Sequence, residues 1–111
     1  MTKEEFLRAF IVEPQHLNQY VKYGIIDQTE TISEAMIDDI SLALSMEKAR
    51  FPLETIKKFI EMSHHQNQHI EELNQILRRQ RCILLEEIHE IQKNIDMIDY
   101  KIYSLKNKEN V

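Results

Sequence analysis

Apolar residues recur at the three-and-four spacing of helices along almost the whole chain, and breaks in that spacing divide it into four short helical segments and one long one. Phe6, Leu7 and Phe10 form the first stripe behind Thr2 and Glu5, whose spacing fits a capping box, and predict a helix of about eight residues. Pro14 then suits the first turn of a second helix, with Leu17, Tyr20 and Val21 on one buried face. Gly24 ends it as a left-handed cap, and Ile25 and Ile26 fold back as apolar anchors. After the polar link DQTET, Ser33 can cap a third helix that reaches about Ala49 and carries Ile37, Ile40, Leu44 and Met46. Pro52 opens a fourth helix that buries Leu53, Ile56, Phe59 and Ile60. A core of roughly sixty residues is marginal for independent folding, so support from a partner chain is expected.

The C-terminal half has a different period. Leu84, Ile88, Ile91, Ile95, Ile98, Ile102 and Leu105 alternate four-and-three, a heptad seam that Leu77 extends backward and Arg81 interrupts. A single helix would leave this row in water, and too few residues remain for an internal partner. Homodimerisation through this helix follows, with parallel and antiparallel pairing both compatible with the pattern. The predicted organisation is a helical domain over residues 1–62, a polar junction over 63–75, a coiled-coil dimerisation helix over 76–107 and a tail over 108–111.

Composition agrees with an all-α fold: one Gly and two Pro among 111 residues leave little for hairpins to turn on. No long apolar run is present, so neither signal peptide nor membrane span is expected, and the expected location is the cytoplasm. The single Cys82 fits a reducing compartment. The net charge of −5 changes the picture more. Residues 1–62 carry seven Lys or Arg against eleven Asp or Glu, so any DNA binding must rest on a local face.

One face qualifies. The outer side of the second helix would show Gln15, His16, Asn18, Gln19 and Lys22, and two short helices joined by a tight turn, the second rich in amides, is the pattern of a helix-turn-helix DNA reader. The same residues also suit a merely solvated face. Enzymatic chemistry finds no Gly-rich phosphate loop and no oriented nucleophile. His65, His69 and Glu72 share one helical face at ligand-like spacing, and His64 adjoins them, but the stretch SHHQNQH reads first as a polar junction, and neither metal nor cofactor is expected. Cys82 reads as a small residue beside the seam rather than a thiol sensor, and the run RRQR at 78–81 as the solvated side of a coiled coil.

The whole chain resembles a small regulator of the MerR family. EPQHLNQYVKYGII is similar to the family's S-P-x-T-L-R-Y-Y-E-x-x-G-L-I through Pro14, Leu17, Tyr20, Gly24 and Ile26. Phe51, Pro52, Leu53, Glu54, Thr55, Ile56 and Lys57 stand where the family has F-S-L-E-E-I-K, and Ile98, Asp99, Tyr100, Lys101 and Ile102 resemble its L-D-Y-K-I ending. The resemblance implies a MerR-like helix-turn-helix domain of four helices followed by a long antiparallel dimerisation helix. It further implies double-stranded DNA as partner, an inverted-repeat target, and Tyr20 donating to a DNA phosphate. Two departures stand out: Asn18 and Gln19 replace the usual Arg-Tyr, with His16 in place of Thr, and the basic wing is reduced to IIDQTETI without Arg or Lys. The expected function is a dimeric sequence-specific regulator using His16, Asn18, Gln19, Lys22 and Arg8 with Tyr20, and no small-molecule effector. The alternatives are a degenerate relative acting through protein contacts as adaptor or antagonist, and an element-borne accessory DNA-binding factor.

Overall fold

Thr2 and Glu5 satisfy each other at the start of the first helix: the Glu5 amide donates to Thr2 Oγ1 at 3.1 Å and the Thr2 amide to Glu5 Oε2 at 3.2 Å. The computed structural model describes residues 1–10, 12–28 and 30–109, so Thr29 of the DQTET link and residues 110–111 of the predicted tail lie outside it. Among these residues the protein is all-α. The helices are α1 (Lys3–Phe10), α2 (Pro14–Lys22), α3 (Glu34–Lys48), α4 (Leu53–Ser63) and α5 (Ile70–Glu109), with one 3-10 turn at Gln66–Gln68 before the last. Ser33 caps α3 by accepting from the Met36 amide at 3.3 Å, and Pro52 holds the extended conformation that precedes α4.

Helices α2 and α3 end in the same way. Behind α2, the Gly24 amide donates to Val21 O at 3.0 Å and the Ile25 amide to Tyr20 O at 2.8 Å, with Gly24 left-handed at φ +76. Behind α3, the Arg50 amide donates to Glu47 O at 2.9 Å and the Phe51 amide to Met46 O at 3.1 Å, with Arg50 in the left-handed region at φ +67. Both are Schellman caps, and in each the residue after the left-handed position, Ile25 or Phe51, is buried.

Phe6 from α1, Leu17 and Tyr20 from α2, Ile40 from α3, and Ile56 and Ile60 from α4 are the largest fully buried side chains. Four helices thus share one core, and burial of each such side chain is worth on the order of 1.5–3 kcal/mol. Phe10, expected in the first apolar stripe, is instead 47% exposed and stacks on Phe6 with ring centroids 4.9 Å apart. It is the last residue of its helix. The link after α2 forms no hairpin among its described residues: Thr31 makes an isolated antiparallel bridge with Thr2, and the Lys3 amide donates to Glu30 O at 3.2 Å.

The chain divides into two compact units, residues 1–74 and 75–111. Helix α5 starts at Ile70, six residues before the coiled coil predicted at 76, because Glu71 and Glu72 suit a first turn and Leu73 supplies a buried apolar position. The predicted junction over 63–75 is therefore helical at both ends. At its start, directly after α4, His64 Nε2 lies 3.0 and 2.9 Å from the two Asp39 carboxylate oxygens of α3.

Candidate nucleic-acid interface

Helix α2 is held on one side by Leu17 and Tyr20 and open on the other, where Gln15, Asn18, Gln19 and Lys22 are all exposed. Nine residues give this helix two and a half turns, and the core contacts of its inner face fix which side chains point outward. Asn18 and Gln19 thus present two planar amides side by side, with the Lys22 ammonium one turn beyond Asn18. Gln15 is turned back, its Nε2 donating to Glu13 Oε2. Arg8 is exposed in the last turn of α1.

Tyr20, for which the family resemblance implies a phosphate contact, is fully buried, and its hydroxyl donates to Glu47 Oε2 of α3 at 3.0 Å. Burial first, and then the hydrogen bond to the Glu47 carboxylate and its charge, hold the Tyr20 proton far more tightly than in an ordinary phenol. The same Glu47 oxygen lies 3.1 Å from His16 Nδ1, so one carboxylate of α3 receives two side chains of α2. His16 is consequently half-buried and oriented, with Nε2 as the ring nitrogen not committed to Glu47. Glu47 thus links α3 to α2 at two positions one turn apart and brings a carboxylate to the edge of the candidate face.

Two cations come to α2 from other elements. Lys3 Nζ of α1 lies 3.5 Å from Asn18 Oδ1, and Lys57 Nζ of α4 lies 3.3 Å from the point a Cβ on Gly24 would occupy. Glu47, Lys3 and Lys57 were all silent in the sequence pattern. Their partners are 15 to 33 positions away, and nothing local to any of them signals the contact.

The predicted seam runs along α5. Leu77, Ile88, Ile91, Ile95, Ile98, Ile102 and Leu105 are between 44% and 63% exposed, and Leu84 is half-buried. Cys82 is exposed on the same helix. In the histidine stretch, His69 Nδ1 lies 3.5 Å from Glu72 Oε1, an ion-pair distance without hydrogen-bond geometry, and His65 is exposed. No group of three or more His, Cys, Asp or Glu side chains is arranged to hold a metal ion among the described residues. No helix is long and apolar enough to cross a membrane among those residues.

No known protein family matches the chain, and no curated protein or solved structure shows significant similarity to it.

Proposed function

We propose that this protein is a dimeric, sequence-specific DNA-binding regulator of MerR type that reads DNA with the open face of α2. The observation that carries the reading is a short helix locked on one side by Leu17 and Tyr20 while Asn18, Gln19 and Lys22 are exposed together on the other. Planar amides can pair bidentately with adenine in the major groove, and a lysine beside them can hold the backbone. His16, oriented by Glu47, adds a ring nitrogen at the same edge. The row of exposed Ile and Leu on α5 is covered by a second copy, and the separation of two α2 helices in that dimer sets the spacing of the half-sites.

A second reading is favoured by Glu47. A carboxylate at the edge of the reading face, in a region with eleven acidic against seven basic residues, suits a fold retained for protein contacts as an adaptor or antagonist. Fluorescence anisotropy of the purified dimer against labelled genomic fragments, at low and physiological salt, decides between them. The regulator reading requires saturable binding that prefers one fragment and is lost in Asn18→Ala plus Gln19→Ala. A folded dimer that binds no fragment at low salt sinks it and leaves the protein-contact reading.

A further inference from the structure

Helix α2 has no basic residue of its own before Lys22, and the link after it has none at all. Phosphate contacts supply most of the sequence-independent affinity of DNA-binding proteins, so a face of amides alone would bind weakly. The fold brings two ammonium groups to the helix from elsewhere: Lys3 beside Asn18 at 3.5 Å, and Lys57 against Gly24, where the missing Cβ leaves room for it. The acid paired with Lys57 is Glu61, at 4.0 Å and 64% exposed, a contact at the outer limit of an ion pair and heavily screened. Glu13 lies at the N-terminal end of α2 and Glu47 beneath it against His16 and Tyr20, while Lys3, Lys22 and Lys57 sit beside its middle and its end.

We propose that Lys3 and Lys57 are phosphate-anchoring residues that flank α2 and, together with Lys22, supply the grip on the DNA backbone that the shortened link does not. The proposal rests on the DNA-binding reading above. An ammonium on a flexible stem suits this role, since it meets a phosphate as a point charge without a fixed geometry. A purely structural role for Lys57, complementing the negative C-terminal end of α2, would show in stability and leave the salt dependence of binding untouched.

The test is the salt dependence of binding between about 50 and 200 mM for the wild type, Lys3→Gln, Lys57→Gln and Lys57→Arg, with thermal melts of each. Each Gln variant removes one contact from each copy of the dimer and is expected to reduce the slope of log affinity against log salt by about 2, weakening preferred and unrelated fragments alike. Lys57→Arg keeps the slope. Gln variants that bind with the wild-type slope overturn the inference and leave the DNA-binding reading standing. Absence of wild-type binding at low salt overturns both.

Discussion

Glu47 ties α3 to α2 through two side chains. Its Oε2 accepts from the buried Tyr20 hydroxyl at 3.0 Å and faces His16 Nδ1 at 3.1 Å. Removing it leaves the hydroxyl buried without an acceptor, so Glu47→Ala is expected to cost about 1–3 kcal/mol in urea unfolding. Glu47→Gln, which keeps an acceptor, should cost less. Tyr20 also gives the fold a pH limit. Its proton is held above the ordinary value of 10.0 in the folded state, so the unfolded chain ionises first. Stability from this group is complete below about pH 10 and declines as pH rises beyond it. Tyr20→Phe should flatten that alkaline decline, a difference that chemical denaturation between about pH 9 and 11 will register; equal slopes in both proteins would show that another group sets the limit.

At the scale of elements, two helices with the same cap carry different residues at the left-handed position. Gly24 adopts φ +76 without penalty, whereas Arg50 adopts φ +67 with a Cβ. Gly24→Ala is therefore expected to destabilise by about 1–2 kcal/mol, chiefly through backbone strain, since the Lys57 ammonium 3.3 Å away can move aside. Arg50→Gly should relieve strain of similar size, less the greater entropy of glycine in the unfolded chain, and raise stability by roughly 0.5 kcal/mol. Urea midpoints of the two variants moving in the same direction would contradict this account. These caps also mark what the sequence made legible. Thr2 with Glu5, Ser33, Pro14 and Gly24 act within a few residues of themselves, and each does in the structure what its local pattern predicts. Phe10 and the start of α5 departed because helix ends depend on what lies beyond them. The Tyr20–Glu47 contact joins residues 27 positions apart, and no periodicity encodes it. The outward amide face was readable for the same reason the core was, since both follow from one helical period fixed by Leu17 and Tyr20.

At the scale of the whole molecule, the exposed row of Ile and Leu on α5 is the feature on which the proposed dimer rests. On the dimer reading, Ile95→Glu with Ile98→Glu places charges in the covered row, and sedimentation should then report a monomer whose melting temperature no longer rises with concentration. The flanking charges speak to orientation. With Ile88, Ile95 and Ile102 at one core position and Ile91, Ile98 and Leu105 at the other, a parallel in-register pair sets Lys101 against Lys106 of the second copy. An antiparallel pair in which Ile91 meets Ile95 of the second copy sets Glu87 toward Lys101, an attraction the parallel pair lacks, and Lys106 toward Arg78, so like charges meet in both arrangements and the orientation has to be measured. Exposed Cys82, the one thiol of the chain, turns this into a distance. Spin labels attached there would lie about 10–20 Å apart across a parallel pair, one helix beside the other. In the antiparallel register the two labels are separated by about 33 Å along the axis, from 22 residues at the helical rise. Pulsed electron-electron distances near the longer value would fix the antiparallel pair. A distribution confined to the shorter range would instead show the parallel pair, in spite of the Lys101 and Lys106 contact it creates.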